Sequence, residues 1–342
     1  MTPRMPCITD VAAAAARLRP LLAPTPLVRS ERFDGWLKLE ALQVTGSYKV
    51  RGALNAMLVA LAGGDRRPVV AASAGNHARG MAWAARRLGL EAHAVVPVTA
   101  PRTKVLGAEM LGASVIRSGD SYEDALEHAR ALAARHDWRF LPAFDDPDVI
   151  AGQGTVGWEL EASPDVVLVP IGGGGLASGV GLAMRERGVR VVGVQVEGVD
   201  AMARALDGRP ELANVPATIA DGVRVRAAGE LTRRICAEVL DDVVTVPESE
   251  LRDVVVELAA FDRVVAEGAG ALACAALGRV KGRRKIAVVS GGNIDLATLA
   301  VLAGDAARAR PAGTTLPSGA ERAALGKPEL EAAKQPLQSY QE

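Results

Sequence analysis

Cysteine is scarce in this 342-residue chain, with only Cys7, Cys236 and Cys274. They are far apart, odd in number and form no Cys-x-x-Cys pair. That argues against a disulfide framework and fits a reducing cytoplasm. The four histidines show no metal-type spacing, so no zinc or other metal site is expected. Net charge is also lacking, because Lys plus Arg and Asp plus Glu each number 40. There is no electrostatic footprint for nucleic acid or an acidic membrane. No run approaches the roughly 18 uncharged apolar residues of a membrane span. Arg17 and Arg19 interrupt the Ala-rich N-terminal run, so it does not read as a signal peptide.

Aromatic residues make up only 3% while hydrophobic residues reach 49%, so Ala, Val, Leu and Ile must fill the core. With 36 glycines, this composition reads as α/β. Short β-branched runs alternate with Ala-rich helical stretches. The expected strands are Trp36–Glu40, Val69–Ala72, His93–Val98, Ser114–Arg117, Val166–Ile171, Val191–Val196, Val243–Val246 and Ile286–Val289. Between them the pattern predicts helices over Arg51–Leu61, His77–Leu88, Arg102–Leu111, Tyr122–Arg135, Leu176–Arg185 and Ala269–Leu277. Such alternation implies parallel sheets. Residues 65–144 are expected to form a small mobile lobe. Residues 1–64 and 145–304 form a large one, with Asp145-Asp146-Pro147 as the crossing back. Residues 305–342 read as a flexible tail.

Four segments place small or polar residues at a strand end or helix start, where ligands sit in α/β sheets. In Thr45-Gly46-Ser47-Tyr48-Lys49, a turn precedes a helix that begins near the lysine. The helix dipole there lowers an amine pKa, which suits a Schiff-base lysine; a solvated surface lysine is the competing reading. Ser73-Ala74-Gly75-Asn76-His77 also opens a helix, and its backbone N–H groups suit an anion or a simple capped turn. Gly172-Gly173-Gly174-Gly175-Leu176 joins a buried strand to an apolar helix and can wrap an anion. It also satisfies a loose dinucleotide fingerprint, with Glu197 about twenty residues on, so an NAD-dependent oxidoreductase competes. Ser290-Gly291-Gly292-Asn293 follows a strand; Ser290 faces a ring nitrogen or caps the next helix. Glu267 touches a cofactor edge or caps the helix beginning near Ala269. Asp221, after the strand-like Thr218–Ala220, reads as structural, and Cys236 and Cys274 as buried small hydrophobes.

Taken in order, these segments resemble the fold-type II pyridoxal-phosphate family, most closely threonine/serine dehydratases and serine racemases. The resemblance runs from about Ile8 to Leu302. It includes Thr25–Leu27, Phe144-Asp145-Asp146-Pro147, Gly152-Gln153-Gly154-Thr155, Thr218-Ile219-Ala220-Asp221-Gly222 and Glu267-Gly268-Ala269-Gly270-Ala271. It implies two open parallel-sheet αβα lobes, like those of the tryptophan synthase β subunit, with pyridoxal 5'-phosphate between them. By position, Lys49 would form the Schiff base and move the α-proton, and Tyr48 would pack near the ring. Asn76 would bond the phenolic oxygen, Gly172 to Leu176 would hold the phosphate, and Ser290 would face the pyridine nitrogen. Ser73, Ala74, Gly75, Asn76 and His77 would bind the substrate carboxylate.

The implied activity is loss of water and ammonia from L-threonine or L-serine by a cytoplasmic homodimer or homotetramer. The alternatives are a serine racemase or a dehydratase of 3-hydroxyaspartate or phenylserine. Ala74 stands where the racemases carry a serine base, which disfavours racemisation. Gln195 and Ala201 stand where the racemase-like branch has metal-binding acids, which disfavours a metal. The chain stops short of a C-terminal regulatory domain.

Overall fold

The computed structural model describes residues 4–160 and 164–309. In chain order, α1 (Ile8–Leu18), β1 (Leu27–Ser30), β2 (Gly35–Leu39) and α2 (Lys49–Ala62) come first. Then follow β3 (Val69–Ala72), α3 (Asn76–Leu88), β4 (Ala92–Val96), α4 (Arg102–Glu109), β5 (Ser114–Arg117), α5 (Tyr122–His136) and β6 (Arg139–Phe140). Next are α6 (Pro147–Trp158), β7 (Val166–Pro170), α7 (Gly175–Arg185), β8 (Arg190–Val196), α8 (Ala201–Leu206), α9 (Glu230–Val239) and β9 (Asp242–Val246). The chain continues through α10 (Glu248–Glu257), α11 (Gly268–Ala275), β10 (Lys285–Val289) and α12 (Leu296–Ala309).

The apolar runs become strands covered on both faces, as parallel sheets require: every residue of β3, β7 and β10 is buried. One sheet has the order β1-β2-β10-β7-β8-β9 and the other β5-β4-β3-β6. Two α/β lobes result, and sheet membership changes between Leu39 and Val69 and again between Phe140 and Val166. Among the named strands, only β1 and β2 pair antiparallel.

Several expectations need correction. Thr218–Ala220 is not a strand; the Thr218 hydroxyl and the Ile219 N–H donate instead to the Glu248 carboxylate, at 2.6 and 2.8 Å. The expected crossing at Asp145-Asp146-Pro147 lies in the stretch where sheet membership changes, and Asp146-Pro147 also starts α6. Asp146 accepts from the Asp148 and Val149 N–H groups at 2.9 Å, and Pro147 occupies a position that needs no N–H. The first residues of the expected tail belong to α12, where Asp305 pairs with Arg252 at 3.0 Å. Residues 310–342 lie outside the described residues.

Glycine lets four helices stack at backbone contact. A Cβ at Gly80 of α3 would lie 2.8 Å from Val50 N of α2. A Cβ at Gly152 of α6 would lie 2.6 Å from Arg51 O, and one at Gly179 of α7 would lie 2.4 Å from Gly154 N. The series α3–α2–α6–α7 thereby holds the helix of Lys49 between those of Asn76 and the tetraglycine loop.

Beneath this stack lies a buried ion cluster. Arg51 forks onto Glu40 (2.7 and 2.9 Å) and Glu159 (2.5 and 2.9 Å) and touches the Thr155 hydroxyl at 3.1 Å. Lys38 donates to Glu159 (2.6 Å) and to the Thr25 carbonyl (2.8 Å), while the Thr25 hydroxyl donates to Glu40 (2.5 Å). Two cations face two carboxylates, and the cluster is internally neutral. Burial alone would push the Glu159 carboxyl up, but Arg51 and Lys38 hold it below the ordinary range.

Glu159→Gln should therefore destabilise the protein at neutral pH by roughly 3–5 kcal/mol, because it leaves buried cations underpaired. A carboxyl with a depressed folded pKa stabilises above its unfolded value and loses that contribution as pH falls through the folded one. The gap between variant and parent, read by urea unfolding, should close below about pH 4.

Candidate active site

The chain turns sharply before α2 because Gly46 adopts φ +72°, and a Cβ there would strike Asn293. The Tyr48 N–H then donates to the Ser290 carbonyl at 3.1 Å, which pins the start of α2 against the end of β10. Lys49 is the first residue of α2. Its Nζ donates to the Ala143 carbonyl at 2.8 Å and lies 5.3 Å from the Tyr48 ring centroid. Burial pushes its pKa down to about 8, with Glu267 pulling the other way. Desolvation does here what the helix dipole was expected to do.

Ala143 leads to Phe144, whose ring lies against the tetraglycine loop. Added Cβ atoms at Gly173 and Gly175 would fall 2.5 and 2.9 Å from Phe144. One at Gly172 would fall 2.9 Å from Val223, and one at Gly174, with φ +97°, 2.5 Å from Met202. Thr232 holds the loop from outside, donating to Gly173 O at 2.6 Å. Gly174 starts α7 without a side-chain cap, and buried Leu176 follows it in the first turn. A bare backbone cradle at a helix N-terminus suits a phosphate.

The Ser73–His77 loop opens α3 in the same manner: Gly75 is the cap residue and offers no side chain. Ser73 Oγ accepts from Gly75 N at 3.2 Å, and Ala74 contributes no titratable group. His77 was expected in the substrate loop, but its side chain is buried in its own lobe with Nε2 3.0 Å from Leu141 O. Burial, with Lys49 nearby, pushes its pKa down to about 3, so the ring stays neutral. Only its backbone N–H is left to serve an anion.

Asn76 faces the other lobe. Its Nδ2 donates to Glu267 Oε1 at 2.5 Å and its Oδ1 accepts from Asn293 at 2.8 Å. Glu267 makes no side-chain cap to α11, and burial, reinforced by Asp221, pushes its carboxyl up to about 7. Ser290 is buried and caps no helix; its Oγ donates to Ala269 O at 3.2 Å.

The expected residues are thus linked into one cleft. Lys49 reaches Ala143, Phe144 covers the tetraglycine loop, the Tyr48 N–H binds the Ser290 carbonyl, and Gly291, lacking a Cβ, leaves room for Asn76 to meet Glu267. The sequence reading assigned no role to Asn293, Arg79, Thr232 or Lys104. Asn293 stood in a quoted motif, and Arg79 and Thr232 lie in amphipathic helices whose pattern hides a site residue. The Gln195 amide donates to Ile171 O and Val199 O, at 3.3 and 3.4 Å, and accepts from Ala203 N at 2.9 Å. It ties that loop without a charge. Glu197 is exposed, and a dinucleotide reading leaves Lys49, Asn76 and Ser290 unexplained.

The donor set fits a phosphorylated aldehyde: a depressed-pKa amine in the cleft, a glycine cradle for a phosphate, and a neutral hydroxyl for a ring nitrogen. A family model described as pyridoxal-phosphate dependent enzyme matches residues 18–292. The chain is 39% identical over 315 residues to the catabolic L-threonine dehydratase of Escherichia coli (strain K12), covering 87% of this chain and 96% of that protein. It is 42% identical over 304 residues to the L-threonine ammonia-lyase of Thermotoga maritima, covering 84% of this chain and 76% of that one. The solved structure of maize serine racemase superimposes with a TM-score of 0.82 at 30% identity, covering 89% of this chain and 99% of that one.

Gly174→Ala should strain the loop and push a methyl group into Met202 and Thr232. Affinity for pyridoxal phosphate, measured by fluorescence titration, should fall by about five- to 150-fold, given an overpacking penalty of roughly 1–3 kcal/mol.

Proposed function

The chain belongs to the pyridoxal-phosphate-dependent enzyme family, and from that premise we propose that it is an ammonia-lyase acting on L-threonine and L-serine. The observation that carries this reading is the pairing of Lys49, a buried amine at the start of α2, with Ala74 in the loop that opens α3, the helix packed against α2. One group can move a proton at the substrate Cα, and that loop position offers no second carrier.

When bound, pyridoxal phosphate supplies an electron-withdrawing ring conjugated to the amino acid's nitrogen. Gly172, Gly173, Gly174, Gly175 and Leu176 would hold its phosphate by backbone N–H groups. Tyr48 would pack near the ring, Ser290 would meet its pyridine nitrogen, and Asn76 its phenolic oxygen. A serine hydroxyl does not enforce protonation of that nitrogen as a carboxylate would, so electrons are better passed straight to a leaving β-hydroxyl. The N-terminus of α3, with Ser73 and the backbone of Ala74 to His77, would orient the substrate carboxylate. Lys49 Nζ would take the α-proton, a role that its lowered pKa supports by leaving a substantial neutral fraction near pH 8. Water leaves across Cα–Cβ, and hydrolysis of the released enamine yields a 2-oxo acid and ammonia.

The proposed setting is the cytoplasm, as a homodimer or homotetramer with residues 65–144 as the small lobe. The unpaired cysteines support the first, and exposed Leu42, Val98 and Met110 support self-association. The similarity to a serine racemase keeps racemisation as the second reading, and Ala74 weighs against it.

Purified protein should release 2-oxo acid from L-threonine and L-serine, read by coupled reduction, and Lys49→Ala should abolish this. Accumulation of D-serine without 2-oxo acid would establish the racemase reading instead. In cofactor-free protein the rate of pyridoxal phosphate uptake should rise with pH through about 8, because the unprotonated amine is the form that adds to an aldehyde.

A further inference from the structure

A hydrogen-bond chain crosses the cleft with a fixed direction. Arg79 Nη1 donates to Asn293 Oδ1 at 3.2 Å, Asn293 Nδ2 donates to Asn76 Oδ1 at 2.8 Å, and Asn76 Nδ2 donates to Glu267 Oε1. Asn293 Nδ2 also donates to Thr45 O at 2.8 Å. A guanidinium can only donate and a carboxylate can only accept, so the two ends dictate the orientation of both amides between them. Flipping Asn76 would set its oxygen against the carboxylate and its nitrogen against the Asn293 nitrogen. In the unflipped state, one N–H of Asn76 stays uncommitted among the described residues. Gly291 makes the approach of Asn76 and Glu267 feasible: a Cβ there would lie 2.4 Å from Glu267 Oε1 and 3.2 Å from Asn76 Nδ2.

We propose that Glu267 is a positioning residue: as the terminal acceptor it locks the Asn76 amide so that the remaining N–H serves the cofactor's phenolic oxygen. The proposal rests on the functional reading for that last role of Asn76. Groups from both lobes set the charge on Glu267. Burial and Asp221 raise its pKa, whereas Asn76, Lys104 and Arg79 lower it. Lys49 and Tyr48 face it from the start of α2. Lys104, on α4, forms an ion pair with Asp221. Above about pH 7 the carboxylate enforces the direction. Below that, a protonated Glu267 can donate as well as accept, and the lock is lost.

The test compares parent, E267Q, E267A, N76A, N293D and the E267A/N76A double variant, each loaded with pyridoxal phosphate and checked for native circular dichroism. The readouts are the pH midpoint of the bound cofactor's visible absorption, and kcat/KM for L-threonine against pH. E267A should shift the midpoint and lower kcat/KM about tenfold or more, since a buried donor loses its partner. N293D should behave like N76A, because a carboxylate cannot donate to Asn76 Oδ1. E267Q, like protonated Glu267, can donate as well as accept, so at pH 8 it should fall to the parent's low-pH level and lose the acid limb near pH 7. The double variant should be no worse than N76A, as expected for residues acting as one unit. An unmoved midpoint and an intact acid limb in E267A would overturn the proposal, as would effects of E267A and N76A that multiply. If no amino acid turns over but the midpoint moves in E267A and no further in the double variant, the substrate reading fails and the positioning role stands.

Discussion

Everything at the cleft depends on the ion cluster around Arg51. The guanidinium sits two residues after Lys49 and is buried with Glu40, Glu159, Lys38, Thr25 and Thr155. Removing four charges from water is expensive, and their attraction offsets that only with near-ideal geometry. The forked, bidentate contacts provide it, and they tie the segment after β2 to α2 and the C-terminal end of α6. An alternative packing of α2 would leave bare charge in the core. The cluster therefore acts as a register device for the lysine's helix more than as a net source of stability.

Glycine supplies the complementary constraint. Where the cluster sets the register of α2, Gly80, Gly152 and Gly179 set how closely its neighbours approach, with backbone where side chains would otherwise stand. Close approach brings the N-termini of α2, α3 and α7 to one cleft. None of the three has a side-chain cap; those of α3 and α7 suit anions, and that of α2 carries the amine. The same burial that makes the cleft water-poor lowers the pKa of Lys49 and raises that of Glu267, so both groups titrate near neutrality.

On the proposed reading, specificity of reaction follows from what is missing as much as from what is present. Ala74 lacks a titratable group, Ser290 lacks a charge, and Gln195 holds its loop through carbonyls at 3.3 and 3.4 Å in place of acidic side chains. Elimination needs one mobile proton at Cα and a good route for electrons out through Cβ. A second base or a strongly protonated ring would open competing routes.

Most strands, six of the helices, and the placing of Lys49 and the tetraglycine loop at helix starts were legible in the sequence because each is a local pattern. A buried parallel strand is a continuous apolar run, and a phosphate cradle is a run of glycines before a helix. Strands such as Val69–Ala72 and Ser114–Arg117 match to the residue. Short or partly exposed β1 and β6 carried too little apolar signal, and the helix that starts at Asp146-Pro147, read only as a crossing, went unmarked. The resemblance added roles that local pattern could not assign. Only the tertiary structure decided the Arg51 cluster and the chain from Arg79 to Glu267. Their partners stand 108, 191 and 217 residues apart, and a hydrogen bond's direction depends on which donor meets which acceptor in space. For the same reason His77 proved a buried neutral ring: its neighbours in the sequence mark a ligand loop, but its side chain answers to Leu141, 64 residues away.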